Sequence, residues 1–238
     1  MKALLLAAGL GTRLKPFTDF HPKALAQVNG KSLLQRNIDY LAAFGINEIV
    51  INVHHHAEQI ITFIEQIKTP NVRFCISDER TELLETGGGL LKASSFLNGT
   101  EPFVMMNTDI LTRISLHDML QFHKEQKSIA TLAISKRTSS RVLLFNAAMQ
   151  LCGWRNITLQ QEIISRVSNP VEEYAFSGVQ IIEPAIFSVI EESGRFSIID
   201  LYLRLAQNHT IAGYLHHELV LDVGKPESLI EAEQLFTD

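Results

Sequence analysis

The sequence predicts an α/β protein with a Rossmann-like, mostly parallel twisted sheet flanked by helices. Three observations carry that expectation. Short apolar runs alternate with amphipathic segments of ten or more residues from Ala3 to Ile134, and strands separated by helical crossovers pair in parallel with right-handed connections. The first run ends in Gly9-Leu10-Gly11, small residues at the carboxyl end of a strand, where such sheets bind ligands. The 238 residues are 46% hydrophobic and 20% charged, which excludes a disordered, collagen-like or coiled-coil chain.

The elements follow in order. Ala3–Ala8 is an apolar run stopped by glycine and reads as a buried strand. After a polar stretch, Leu34, Ile38, Leu41 and Phe44 recur at helical spacing, and Gly45 stands where a left-handed cap closes a helix. Glu48–Val53 is the next strand, and Ala57–Ile67 a helix with Ile60, Ile61, Ile64 and Ile67 along one side. Asn71–Ile76 and Phe103–Met106 are strands, each followed by a helix, Gly87–Phe96 before the second of them and Leu116–Glu125 after it. A strand at Ile129–Ile134 completes the alternating half.

The second half is less regular. Val142–Phe145 and Gln150–Trp154 form a hairpin, and the polar, weakly patterned residues 156–173 read as a loop or excursion. Phe176–Ile182 is a strand, and Pro184 starts a helix at its first turn. Ser197 with Asp200 is an N-cap and acidic third position, opening a helix through Leu205. His209–Leu215 and Leu219–Val223 are short strands, and Glu227–Phe236 is a closing helix. Without an internal repeat, linker or low-complexity stretch, residues 1–238 read as a single domain.

The formal net charge is −5 with no basic cluster, which argues against nucleic acid or an anionic membrane as partner. Cys75 and Cys152 cannot build a disulfide framework and have no zinc-site spacing; both read as small buried hydrophobes. The apolar run after Met1 is shorter than a signal-peptide core, no stretch is long enough to span a bilayer, and the expected location is cytoplasmic. His54-His55-His56 and His216-His217 read as solvated turns, because neighbours on an extended chain point to opposite faces and do not converge on one ion.

Leu6-Ala7-Ala8-Gly9-Leu10-Gly11-Thr12-Arg13-Leu14 lets backbone N–H groups approach an anion closely. Leu14 occupies the place of a dinucleotide fingerprint's third glycine, and no Gly-Lys-Ser/Thr makes a Walker loop. Arg13 and the lysine of Pro22-Lys23-Ala24-Leu25 add the cations that a polyphosphate requires.

Those two segments resemble the signature of the sugar-1-phosphate nucleotidyltransferases. The likeness continues through Glu85-Thr86-Gly87-Gly88-Gly89, Asn107-Thr108-Asp109, Phe176-Ser177-Gly178 and Leu221-Asp222-Val223-Gly224, in the family's order and over nearly the whole chain. It implies transfer of a nucleoside monophosphate from a nucleoside triphosphate, UTP foremost, to a sugar 1-phosphate, with pyrophosphate released. It further implies Arg13 and Lys23 as catalytic residues on the phosphates. Ala8, Gly9, Gly11, Thr12, Thr86, Gly87 and Gly88 would bind the nucleotide, and Ser177 and Gly178 the sugar-phosphate side. Asp109 and Asp222 would hold Mg²⁺, loosely without nucleotide.

The compact form most resembles the N-acetylmuramate-1-phosphate uridylyltransferases, with mannose- or heptose-1-phosphate guanylyltransferases second and phosphocholine cytidylyltransferases third. Few residues follow Asp222, so an added β-helix domain is not expected. A Glu-Lys-Pro segment frequent in the family is replaced by Leu151-Cys152-Gly153-Trp154-Arg155, with Arg155 as a candidate substitute, and Lys225 stands where threonine is frequent. A non-catalytic nucleotide-sensing subunit is the reading from another class; Arg13, Lys23, Asp109 and Asp222 together argue against it.

Overall fold

Successive side chains of the first strand enter two different cores, and that alternation organises the molecule. In a computed structural model, which describes residues 1–237, the chain order is β1 (Lys2–Leu6), β2 (Gln27–Val28), β3 (Lys31–Ser32), α1 (Leu33–Ala43), β4 (Glu48–Val53), α2 (Ala57–Gln66), β5 (Arg73–Asp78), α3 (Glu85–Lys92), α4 (Ser94–Leu97), β6 (Phe103–Asn107), β7 (Ile110–Thr112) and α5 (Leu116–Gln126). There follow β8 (Ala130–Ser135), β9 (Arg141–Phe145), β10 (Leu151–Asn156), β11 (Gln161–Ile164), β12 (Glu172–Ile182), α6 (Ile198–Leu205), β13 (Ile211–Leu215), β14 (Val220–Asp222) and α7 (Pro226–Leu235). Ala3 and Leu5 pack with Leu34, Ile38, Ile60 and Met119 of α1, α2 and α5, whereas Leu4 packs with Leu90, Leu201 and Tyr202 of α3 and α6. Helices on both faces explain why the strand is apolar from Ala3 to Leu6.

β1 pairs in parallel with β4 and β6, and β4 with β5. β12 then runs antiparallel between β6 and β8, while β13 lies parallel to β8. The carboxyl ends of β1, β4, β6, β8 and β13 therefore open onto one edge. The amino-terminal half of β12 pairs with β9, from which β10 and β11 extend the sheet. β14 pairs with β7 in a separate ribbon, and β2 with β3 in another. Among the described residues no helix is long and apolar enough to cross a membrane.

The mostly parallel α/β fold is as expected, and most elements lie within a few residues of their predicted places. Gly45 takes φ 76° after α1, with its N–H on Ala42 O, as a C-terminal cap requires. The differences have local causes. Residues 156–173 contain β11, whose four side chains are all exposed, so no alternation marked it as a strand. Pro184 opens only a 3-10 turn ending at Ser188. The predicted Gly87–Phe96 helix begins at Glu85 and divides at Ala93 into α3 and α4. Cys152 is buried as expected, but Cys75 is partly exposed. His216 is buried, and His54 and His56 half-buried, so only His55 and His217 fit the solvated turns predicted.

Candidate active site

The Gly-rich turn after β1 is held open by a buried amide from the neighbouring strand. Asn52, near the carboxyl end of β4, accepts from Ala7 N at 2.6 Å and Ala8 N at 3.2 Å through Oδ1, and donates through Nδ2 to Glu79 Oε1 at 2.7 Å. The N–H groups of Gly9, Leu10 and Gly11 have no acceptor among the described residues, which leaves a short row of donors for an anion. Gly11 is left-handed at φ 61°, and its carbonyl accepts from Leu14 N and Thr18 Oγ1. The turn that follows buries Leu14 and leaves Thr12 and Arg13 outside, so Leu14 is a packing residue where a dinucleotide loop has glycine.

A cleft of about 370 Å³ opens above this turn, lined by Ala8, Gly9, Lys23, Asn52, Thr86 and Asp109 among others. Asp109 reaches it because Thr108 is fixed from two directions. Thr108 N and Oγ1 both bond Leu6 O, and the buried Asn37 of α1 donates to Thr108 O at 2.8 Å. Val223 N donates to Asp109 O at 2.8 Å, and the β7–β14 register sets Asp222 opposite Ile110. Asp109 and Asp222, 113 residues apart in sequence (222 − 109), thus stand at one end of the same ribbon.

Each carboxylate is held by one of the two predicted cations. Lys23 forms an ion pair with Asp109, and Arg13 Nη2 lies 3.9 Å from Asp222 Oδ2. A side chain at Gly224 would begin 2.6 Å from Asp222 Oδ1 and 2.7 Å from the Arg13 guanidinium. A side chain at position 224 would push the ends of these two flexible side chains from their present places. No cluster of three or more His, Cys, Asp or Glu residues stands together among the described residues. Two part-exposed carboxylates suit a magnesium ion, which binds through one or two carboxylates plus phosphates, better than a calcium or zinc cage.

Other predicted residues lie elsewhere or are already engaged. Gly87 and Gly88 face residues 194–196: both N–H groups donate to Phe196 O, and a side chain at Gly88 would overlap Gly194 O. Their lack of side chains lets α3 dock there rather than opening the backbone to a base. Thr86 lines the cleft while its hydroxyl accepts from Ile198 N at 2.9 Å. The Ala8 N–H is taken by Asn52, so free donors begin at Gly9. Arg155, the candidate phosphate clamp, is held by Glu162 and Glu173.

Ser177 and Gly178 sit outside the cleft lining at a register shift of β12. Ser177 is fully buried, with Oγ 2.8 Å from His216 Nε2. Gly178 takes φ 75° against Ile110 and the Asn107 amide. Asn37, Asn52 and Glu79 have no place in the sequence reading, and Asn107 enters it only as part of the Asn107-Thr108-Asp109 motif. The available signal was an asparagine interrupting an otherwise apolar strand in Ile49–Val53 and another on the apolar face of α1.

Burial holds the His216 and His123 imidazoles below their usual range and the Glu79 carboxyl above its own. A histidine of lowered pKa binds its proton in the unfolded chain first, so its share of stability is present above 6.5 and lost as pH falls. His216→Gln should therefore flatten the loss of unfolding free energy below pH 6.5, measured by urea titration. An unchanged slope would remove His216 from the acid response. Glu79 acts in the opposite sense, its contribution decreasing as pH rises above 4.5.

Residues 2–142 match the model of the nucleotidyl transferase family. The chain belongs to that family. It is 30% identical to an N-acetylmuramate alpha-1-phosphate uridylyltransferase of Neisseria meningitidis serogroup B, covering 99% of this chain and 98% of that one. A protein of the same description from Caulobacter vibrioides is 29% identical, covering 97% and 95%. Mannose-1-phosphate guanylyltransferase 1 of Arabidopsis thaliana is 26% identical over 100% of this chain but 65% of its own length. Among solved structures, UDP-glucose pyrophosphorylase from Acinetobacter baumannii superposes with TM-score 0.81 at 16% identity, covering 99% of this chain and 92% of that one. That likeness is one of fold. The enzyme class expected from the motifs, a sugar-1-phosphate nucleotidyltransferase, stands.

Proposed function

We propose that the chain transfers a uridylyl group from UTP to a sugar 1-phosphate, with N-acetylmuramate 1-phosphate as the foremost acceptor, and that residues 1–238 act as a single nucleotidyltransferase domain. The observation that carries the reading is the pair of ion pairs, Lys23 with Asp109 and Arg13 with Asp222, beside a row of free amides. Uridylyltransferase relatives at 29% and 30% identity, against 26% for the guanylyltransferase, favour UTP over GTP. Guanylyl transfer to mannose 1-phosphate is the second reading.

In the transfer, an acceptor phosphate oxygen attacks the α-phosphorus and the bond to the bridging α,β-oxygen breaks. Pyrophosphate leaves with that electron pair. The chain contributes position and charge rather than a covalent intermediate. The amides of Gly9–Gly11 receive phosphate oxygens, Arg13 holds the β,γ-phosphates and Lys23 the α-phosphate. Thr86 and the Ala8–Gly9 backbone flank the base, and the buried Ser177 and Gly178 back the sugar side from behind the surface. Asp109 and Asp222 would hold Mg²⁺, which supplies charge neutralisation between phosphates. Lys23 and Arg13 occupy those carboxylates until phosphate draws the cations away.

Pyrophosphate release from five nucleoside triphosphates, each crossed with a set of sugar 1-phosphates, tests the reading. The expected maximum is UTP with N-acetylmuramate 1-phosphate. A maximum with GTP and mannose 1-phosphate selects the second reading, and nucleotide binding without release from any pair selects a sensor.

A further inference from the structure

The cations beside the nucleotide turn are each committed to a carboxylate, Lys23 to Asp109 and Arg13 to Asp222. A triphosphate drawing both away leaves the acceptor, itself an oxyanion, without a counter-charge from this side. The strand order shows where one can come from. β12 lies between β6 and β8, so those two strands are two strand spacings apart across the sheet, roughly 10 Å, and both run toward the same edge. β6 ends at Asn107, on the cleft, and the segment after β8 begins with Lys136 and Arg137.

Arg137 is exposed, yet it is anchored. Its Nη2 donates to Phe176 O at 2.9 Å, one residue before Ser177-Gly178. That segment is itself fixed, through Ser177 on the buried His216 and Gly178 packed against Ile110 and the Asn107 amide. The guanidinium is thereby tied to the wall that joins β12 to the cleft. Neighbouring cations are neutralised: Lys136 pairs with Glu172 at 3.0 Å, and Arg155 with Glu162 and Glu173. Arg137 faces no carboxylate within ion-pair distance and makes no second hydrogen bond among the described residues. A guanidinium with one donor spent on a backbone carbonyl keeps most of its fork for an oxyanion.

We propose that Arg137 binds an oxyanion of the acceptor sugar phosphate, on the β8 side of the cleft. The inference rests on the proposed transfer reaction and adds the residue that selects an anionic acceptor. Two groups of such an acceptor share the required chemistry, the phosphate and, in N-acetylmuramate, a carboxylate.

Calorimetric titration of wild type, Arg137→Ala and Arg137→Lys with N-acetylmuramate 1-phosphate, mannose 1-phosphate and UTP tests it. Loss of one charge-assisted contact should weaken acceptor binding about 10- to 100-fold in Arg137→Ala, with UTP affinity within about twofold. Arg137→Lys should fall between, keeping the charge without the fork. Equal loss on both acceptors identifies the phosphate as the bound group, and loss confined to N-acetylmuramate 1-phosphate identifies the carboxylate. Unchanged acceptor affinity, an equal loss for UTP, or no acceptor binding by wild type overturns the proposal. Pyrophosphate release, measured in parallel, separates the two ideas: transfer with no effect of Arg137 defeats only this inference. Acceptor binding that depends on Arg137 without transfer defeats only the reaction.

Discussion

Asp109→Asn is expected to lower Mg²⁺-dependent pyrophosphate release about 10²- to 10³-fold, corresponding to ~2.7–4 kcal/mol of lost electrostatic stabilisation in the transition state. The substitution keeps the size of the side chain and removes its charge. It leaves Lys23 without its partner and takes away one of two carboxylates at the end of the β7–β14 ribbon. The fold should survive, because the ribbon is joined there by the backbone bond from Val223 N to Asp109 O, and the Asp109 side chain is 24% exposed. Asp222→Asn should act in the same direction, freeing Arg13. Release measured against Mg²⁺ concentration, beside a melting curve for each variant, separates a lost ion site from a lost fold. Near-normal turnover in both variants would sink the metal assignment, and a collapsed melting temperature would make Asp109 a structural residue.

The residues in that prediction were legible in part, two from their charge in the segment after β1 and two from a motif resemblance. Arg13 and Lys23 are visible in one dimension as cations near a Gly-rich turn. The metal role of Asp109 and Asp222 came only from the resemblance to the nucleotidyltransferases, their spacing alone fitting a cap or turn equally well. What holds them is of another kind. Asn37 meets Thr108 across 71 residues, and Asn52 meets Ala7 across 45. Periodicity in one segment cannot show which distant backbone needs a hydrogen bond. Gly87 and Gly88 were visible as glycines, but whether a ligand or the chain's own Gly194–Phe196 approaches them depends on how α3 docks. His216 misled for a related reason. Two adjacent histidines look like a solvated turn until Ser177, 39 residues earlier, is found buried against one of them. Lines of apolar residues therefore gave the sheet, and isolated charges gave the phosphate side. The polar groups buried between them showed locally only as interruptions of apolar runs, with nothing to name their partners.

The second large effect falls on one of those unseen residues. Asn52→Leu, nearly equal in shape, should destabilise the chain by about 2–5 kcal/mol, because each buried group left unpaired costs about 1–3 kcal/mol. Three groups lose their partner together: Ala7 N–H, Ala8 N–H and Glu79 Oε1. Ala7 and Ala8 are nearly inaccessible and Glu79 is fully buried, so water cannot readily take the place of the lost amide. The loss would be a large fraction of a domain stability of about 5–15 kcal/mol. Because the same amide fixes the strand end from which Gly9–Gly11 depart, the surviving folded protein should also bind UTP more weakly. Urea unfolding reads the first effect and calorimetry the second. A stability change below about 1 kcal/mol would mean that other contacts hold the turn. Lost stability with unchanged UTP affinity would confine Asn52 to the core and detach it from the phosphate-binding backbone.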